Sequence, residues 1–136
     1  MRLVLAAALA TVALSCAAAS ASTRSYPGFR TPSKNIACAA FAPPRRYLRC
    51  DILSGVRPPP HGRCELDWTG YGANLHGRAF ATCAGDTVAG LNPHVLGYGR
   101  TWYALGFTCV SRLTGLTCRN ADKHGFFMSR AHSYRF

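Results

Sequence analysis

Six of the seven cysteines in this chain decide what it can fold into. They are Cys38, Cys50, Cys64, Cys83, Cys109 and Cys118. None of them forms a C-x-x-C pair, and no two histidines are three to five residues apart, so the usual ligand spacing of a structural zinc site is missing. An even set of cysteines is typical of small exported domains that are held together by disulfides. The sequence therefore predicts three disulfides, with no metal and no other cofactor.

The residues around Cys109 and Cys118 predict a hairpin. If these cysteines face each other across two antiparallel strands, Val110 faces Thr117 and residues 112–115 form the loop. Facing residues at a non-hydrogen-bonded position of an antiparallel pair lie at a Cα separation that a disulfide accepts. We therefore expect a Cys109–Cys118 disulfide across this hairpin.

A second hairpin of the same kind is expected between Cys38 and Cys50, with the prolines at 43–44 in its loop. The two cysteine hairpins resemble each other in sequence, and no other repeat is recognised. Among the several pairings that six cysteines allow, these two hairpins leave Cys64 with Cys83. Each such disulfide contributes about 3 kcal/mol in the chain-entropy model.

The first 21 residues predict a signal peptide. A basic start is followed by an apolar segment at 3–14, which is too short to span a bilayer, and by the small residues Ala19–Ala21 at a cleavage position. We therefore expect a secreted protein that begins at Ser22. The alternative is a lipoprotein anchored through an acylated Cys16, since the residues before this cysteine partly fit a lipoprotein signal.

The remaining sequence predicts a mostly β fold: a small antiparallel domain of disulfide-linked hairpins at residues 29–136, after a flexible N-terminal arm at 22–28. Thirteen glycines and eight prolines interrupt the chain, no long segment has helical periodicity, and short runs rich in threonine and aromatic residues recur between turns. These features exclude a multidomain enzyme, a coiled coil and a polytopic membrane protein. Strands are predicted near residues 36–41, 46–52, 78–83, 101–110, 115–119 and 125–130.

The carboxylates offer little for catalysis. Glu65 and Asp67 would share a face of an extended segment, as glycosidase chemistry requires, but their simpler interpretation is as solvated partners of basic neighbours such as Arg63. A secreted nuclease could use Glu65 with His76 and Arg78, although nothing in the sequence brings these residues together. The catalytic residues are therefore unknown.

Other catalytic or ligand-binding groups have structural interpretations too. Ser129 and His124 are five residues apart, so they would point to opposite faces of a strand, and no G-x-S-x-G sequence marks a nucleophile. His124 fits an exposed turn, and Asp86 fits a turn that it orders through backbone hydrogen bonds. Four aromatic residues could stack sugars or bases, but core packing is the preferred interpretation in a chain with few aliphatic residues. They are Trp68, Tyr71, Trp102 and Tyr103.

The formal charge of +11 is the remaining functional signal. The arginines are scattered, and only Arg45, Arg46 and Arg49 approach a cluster, which we take as a candidate basic contact patch. Scattered arginine can also reflect genome composition. No sequence-specific nucleic-acid binding is expected, because no dense basic stripe or nucleic-acid-binding motif is present.

These features favour a non-enzymatic binding module at the cell envelope or outside the cell. Its partner would be an anionic envelope polymer, a lipid surface or an extracellular protein. One alternative is an inhibitor of an extracellular hydrolase that inserts the proline-rich loop at residues 56–61. Another is a small secreted hydrolase.

Several segments together resemble a known family. They are Phe29–Cys38, Leu48–Ile52, Cys64, Asp67–Trp68, Cys83–Thr87, Tyr98–Gly99, Phe107–Cys109, Gly115–Asn120 and His124–Arg130. This succession resembles a family of small secreted or lipid-anchored actinobacterial proteins described only as a domain of unknown function. The resemblance covers about residues 29–136 and implies export and a cysteine-bridged domain. It brings no catalytic residues.

Overall fold

A computed structural model describes residues 26–136, which fold into two five-stranded antiparallel sheets without any helix. The first sheet contains β1 (Gly28–Arg30), β2 (Ile36–Phe41), β3 (Tyr47–Ile52), β4 (Asp67–Asn74) and β5 (Phe80–Ala84). The second contains β6 (Thr101–Ala104), β7 (Phe107–Arg112), β8 (Gly115–Arg119), β9 (Gly125–Met128) and β10 (Ser133–Arg135). Within each sheet, every strand pairs with the next one in sequence, so both sheets are meanders. The predicted mostly β class is confirmed.

The predicted signal peptide at 1–21, Cys16 and residues 22–25 of the predicted arm lie outside the described residues. The end of that arm belongs to the first sheet. The Ala40 N–H donates to the Pro27 carbonyl oxygen at 2.8 Å, and Gly28 already pairs with Ala39 in β1. Between residues 26 and 136, no helix is long and apolar enough to cross a membrane.

The strand predictions require three corrections. Residues 101–110 are two strands rather than one, because Leu105 and Gly106 form a turn with positive φ angles of 52° and 91°. Strands β1 and β10 were not predicted, since each has only three residues. Strand β4 was also missed, because Gly70 and Gly72 resemble a loop in sequence.

Two disulfides lie at the centre of the interface between the sheets. Cys38–Cys50 joins β2 to β3, and Cys109–Cys118 joins β7 to β8, in both cases between directly facing residues. All four cysteines are buried, and the Sγ atoms of Cys50 and Cys118 are 3.9 Å apart. Disulfide sulfur atoms supply no thiolate, so this sulfur cluster is apolar core rather than a metal site.

The third disulfide joins Cys64, in the loop before β4, to Cys83 in β5. It lies at the edge of the first sheet, and Cys83 is exposed. Its surroundings therefore differ from those of the two central disulfides.

The two sheets are copies of one pattern. The residue that faces the first cysteine of the hairpin is Phe29 in the first sheet and Trp102 in the second, and their rings are 5.1 Å apart across the interface. The residue that faces the second cysteine is Tyr71 in the first sheet and Phe126 in the second, and their rings are 5.9 Å apart. The repeat that was recognised only in the cysteine hairpins therefore extends across the sheets.

One glycine in each sheet permits close strand packing at equivalent positions. A side chain at Gly70 in β4 would overlap the carbonyl oxygen of Cys50, and one at Gly125 in β9 would overlap that of Cys118. Only glycine lets these backbones approach so closely. Gly70 is therefore a strand residue that the repeat requires.

The linker between the sheets, residues 85–100, breaks the symmetry. It passes over the outer face of the first sheet, where the Val88 N–H donates to the Asp51 carboxylate at 2.9 Å. It then pairs with Arg30 of β1, whose N–H donates to the His94 carbonyl oxygen at 2.8 Å. The outer residues Ala37 and Ala39 are small and buried beneath this layer. The outer face of the second sheet has no such cover among the described residues.

Candidate functional site

The predicted basic patch is divided by the structure. Arg45 and Arg46 are exposed in the β2–β3 loop, whereas the Arg49 side chain is only 14% exposed. Its Nε and Nη2 atoms donate to the Asp51 carboxylate at 2.9 and 3.0 Å, and its Nη1 atom donates to the Asp86 carboxylate at 2.8 Å. Asp51 is on the same face of β3, and Asp86 belongs to the linker. Arg49 is therefore paired within the fold and holds the linker, whereas Arg45 and Arg46 remain exposed, so the structure does not bring the three arginines of the predicted patch together.

The charges of this cluster stabilise one another. Burial opposes the charge of Arg49, but hydrogen bonds to Asp51 and Asp86 outweigh it and raise the pKa of the guanidinium. The hydrogen bond from Arg49 in turn lowers the pKa of Asp86. The donors of Arg49 are therefore engaged by Asp51 and Asp86 within the fold.

The candidate catalytic residues mostly have other partners. Glu65 is exposed and forms an ion pair with Arg63, with 3.4 Å between Nη2 and Oε1. His76 lies against Asp122, with 2.9 Å between Nδ1 and Oδ1, and the Gly77 N–H donates to Oδ2 of the same carboxylate. These contacts, the one from His76 first, lower the pKa of Asp122. His76 is thus engaged away from Glu65.

Two further candidates are also placed by the structure. Ser129 donates its hydroxyl to the carbonyl oxygen of His132 at 2.8 Å rather than to His124. Asp67 lines a cleft of about 330 Å³ together with Trp68 and Asp51, whose carboxylate is bound to Arg49. Neither arrangement forms a catalytic dyad.

The four aromatic candidates do not form one surface. Tyr71 is in the core, where burial raises the pKa of its hydroxyl against an opposing effect of Arg135. Trp102 packs on Phe29, and Trp68 is half-buried against the core, so core packing is the role of most of the set. Tyr103 alone is largely exposed, at 72%.

The proline-rich loop at residues 56–61 lies along β10. Val56 is buried, and the Arg57 carbonyl oxygen accepts a hydrogen bond from the Ser133 N–H. The prolines at 58–60 line a cavity of about 270 Å³ with Tyr134 and Arg135. The loop is therefore anchored to the domain at Val56 and Arg57, while most of its other residues remain exposed.

Sequence reasoning missed a cationic cleft at the end of the sandwich where the β1–β2, β7–β8 and β9–β10 turns meet. It has a volume of about 290 Å³. Its lining residues are Thr31, Ser33, Asn35, Ile36, Tyr98, Arg112, Leu113, Thr114, Gly115, Ser129 and Arg130. Two are arginines, several carry hydroxyl or amide groups, and none is acidic. Lys34 adds a third cation, because it is exposed between two of the lining residues.

The arginines of this cleft are free because the few carboxylates are used elsewhere. The whole chain has sixteen Lys and Arg residues but only five Asp and Glu residues. Four of those five acids lie against Arg49, Arg63 or His76. Within residues 26–136, Arg112 and Arg130 have no ion-pair partner. The predicted hairpin register put Arg112 in a loop, but no sequence signal showed that Arg130 and Ser33 would meet it there.

The chain matches one protein family over nearly its whole length. A family model described as a family of unknown function (DUF6636) matches residues 7–136. The chain belongs to this family. The DUF6636 match includes all ten strands, the three disulfides and every residue of the cationic cleft. It confirms the resemblance to an uncharacterised domain family. No curated protein and no solved structure matches the chain.

Proposed function

We propose that this DUF6636 protein is a non-enzymatic module that binds an anionic polymer outside the cytoplasm, through the cationic cleft. The observation that carries this proposal is the pair Arg112 and Arg130, which line a cleft of about 290 Å³ without a carboxylate. A guanidinium presents a planar fork of donors that suits carboxylate and phosphate groups. The hydroxyls of Thr114 and Ser129 lie in the same lining.

A polymer fits this surface better than a single small anion. The cleft is open at the surface, where Leu113 is 85% exposed, so solvent competes for each individual contact. Repeated charges on one polymer raise the effective concentration at neighbouring cations such as Lys34, and they concentrate the ligand near the protein. Affinity then depends on several weak ionic contacts and falls with added salt.

The location is part of the same proposal. Three disulfides in a small domain are typical of oxidising compartments rather than of the cytosol. The predicted signal peptide would export the chain, or Cys16 would anchor it through a lipid. The actinobacterial origin that the resemblance implies would make an anionic polymer of the cell envelope the natural partner.

Binding of long-chain polyphosphate, titrated at several salt concentrations, tests the proposal. The variant Arg112→Gln/Arg130→Gln removes both cleft cations. Because an exposed ionic contact contributes up to about 1 kcal/mol, the loss of both arginines lowers the affinity about tenfold. The salt dependence becomes shallower as well.

The variant Arg45→Gln/Arg46→Gln is the matched control, because it removes two exposed arginines at the other predicted location. It leaves polyphosphate binding within about twofold of the unaltered protein if the cleft is the site, a difference well below 1 kcal/mol. Equal losses in the two variants would show only general charge attraction. Loss in the control alone would place the contact at Arg45 and Arg46 instead.

A further inference from the structure

The uncovered outer face of the second sheet carries a continuous group of aromatic rings. Phe127 in β9 lies 5.3 Å from His132 and 5.4 Å from Tyr134, measured between ring centroids. Tyr134 in turn lies 5.8 Å from His132 and 6.2 Å from Phe136. Tyr134 is 49% exposed. We call this group of four residues the aromatic face.

The outer faces of the two sheets differ in how far the described residues cover them. On the first sheet, the linker packs over the small outward residues Ala37 and Ala39, and the outward rings of Phe41 and Tyr47, 4.6 Å apart, are half-buried. On the second sheet, the outward residues at and beside β9 and β10 are large and aromatic, and no segment of the described chain crosses them as the linker crosses the first sheet. Tyr134 is exposed at the edge of the proline-lined cavity, and Phe127 is half-buried. Exposed aromatic clusters on an otherwise polar surface mark interaction sites.

The aromatic face is also cationic. The Arg119 guanidinium lies over the Phe136 ring, 5.0 Å from its centroid, and is exposed. Strands β6 to β10 contain no Asp or Glu. Thr108 and Thr117 add hydroxyl groups to the same outward side, because they alternate with the inward-facing cysteines of β7 and β8.

The aromatic face and the cationic cleft form one surface. Gly115 lines the cleft, and a side chain at this position would collide with the Phe127 ring, which leans across β8. Ser129 also lines the cleft and is bonded to His132 of the aromatic face. A ligand that extends from the cleft therefore passes directly onto the rings.

We infer that the polymer is an acidic polysaccharide, whose acidic groups enter the cleft while its sugar rings pack on the aromatic face. This inference rests on the proposed function and deepens it. The C–H groups of a sugar ring pack against aromatic faces, and its hydroxyls match threonine and arginine donors. The three disulfides indicate a compartment outside the cytosol, which favours a glycan over a nucleic acid.

Three probes separate recognition of charge from recognition of rings. Polygalacturonate has sugar rings and carboxylates, and polyphosphate has charge but no rings. Oligothymidylate represents a single-stranded nucleic acid. The test variant is Tyr134→Thr, which removes a ring but keeps a residue suited to an edge strand. The conservative variant is Tyr134→Phe. The matched control is Leu91→Ala, which removes a side chain of similar exposure, 44%, from the linker on the opposite sheet.

We expect Tyr134→Thr to weaken polygalacturonate binding about tenfold, as loss of a stacking contact does, and to leave polyphosphate binding unchanged. Tyr134→Phe and Leu91→Ala keep both affinities, and Arg112→Gln/Arg130→Gln lowers both. Should Tyr134→Thr change the affinity for the two polymers equally, or change neither, the aromatic face does not recognise sugars. If Tyr134→Thr does not fold, His132→Ala tests the aromatic face by the same comparison of polygalacturonate and polyphosphate binding.

The two proposals fail differently. If polyphosphate does not bind at low salt, the cationic cleft is not an anion site and the proposed function is wrong. If polyphosphate binds through the cleft but polygalacturonate binds no better and is insensitive to Tyr134→Thr, only the polysaccharide inference is wrong. Tighter, Tyr134-dependent binding of oligothymidylate would overturn the glycan in favour of a single-stranded nucleic acid.

Discussion

Replacing Arg49 tests whether it holds the fold together or contacts a partner. Arg49→Met keeps much of the length and apolar packing of the side chain but removes its charge. The variant leaves the Asp51 carboxylate without its ion-pair partner, and the carboxylate is almost fully buried, with 3% of its side chain exposed. Only the hydrogen bond from the Val88 N–H would remain among the contacts seen for it.

The expected loss of stability follows from that burial. Removing one partner of a buried ion pair costs about 3–5 kcal/mol, because the other charge stays uncompensated. The Arg49 side chain is 14% exposed, so water reaches the edge of the site and favours the lower end of this range. We therefore expect Arg49→Met to lower the free energy of unfolding by about 3 kcal/mol.

Urea unfolding of the disulfide-intact protein at pH 7, followed by tryptophan fluorescence, measures this change. Arg46→Met is the matched control: Arg46 is exposed, so its replacement stays within about 0.5 kcal/mol. The double variant Arg49→Met/Asp51→Asn removes the orphaned charge and keeps an amide oxygen for the Val88 N–H. It should recover most of the lost stability.

Equal stability of Arg49→Met and Arg46→Met would refute this reasoning, and so would a double variant that is no more stable than the single one. In either case the Arg49 cluster would not be holding the linker. Cleavage within residues 86–96 by a protease gives an independent readout, since a released linker becomes accessible.

Three further predictions follow from the sheets and their edges. Gly125→Ala should lower the free energy of unfolding by about 1–3 kcal/mol or more, because its methyl group would overlap the backbone oxygen of Cys118. Gly90→Ala, which has open space around it, is the control and should leave the urea unfolding curve nearly unchanged. Limiting reductant should open Cys64–Cys83 first, because Cys83 is exposed whereas the four cysteines of the central disulfides are at most 1% exposed; alkylation followed by mass spectrometry measures the order, and simultaneous loss of all three disulfides would contradict it. The contact with His76 lowers the pKa of Asp122 in the folded protein. This contact therefore stabilises the fold at pH values above about 4, the ordinary pKa of an aspartate, and the stabilisation is lost as the pH falls through the lower pKa of the folded state. The unfolding midpoints of the unaltered protein and Asp122→Asn should therefore converge with acidification, and a constant difference would contradict this sign.

Local patterns in the sequence predicted the centre of each sheet. The predicted facing of Val110 with Thr117 is the observed register, and β2 and β8 have their predicted bounds. These elements were predictable because each lies within a hairpin whose partner strand is close in sequence. Strand β4 was not, because Gly70 is explained only by the backbone of β3 that packs on it. Sequence patterns show which residues favour turns, but not where two strands must approach closely.

The candidate site was less predictable than the fold. Arg49 was assigned to a surface patch because Arg45 and Arg46 are its neighbours in sequence, yet its ion pair with Asp86 spans 37 residues. The cationic cleft likewise combines three turns that are distant in the chain. A surface site of this kind depends on loop ends meeting in space, and periodicity or spacing carries no information about that meeting.

The meander topology has a consequence for how the chain acquires its covalent bonds. All strand pairings join consecutive strands, so the first sheet can assemble before the residues of the second have emerged from the ribosome. Within this order, the six paired cysteines bond consecutively: the first with the second, the third with the fourth and the fifth with the sixth. Among these six cysteines, oxidation in the order of the chain therefore produces the observed pairing without disulfide reshuffling.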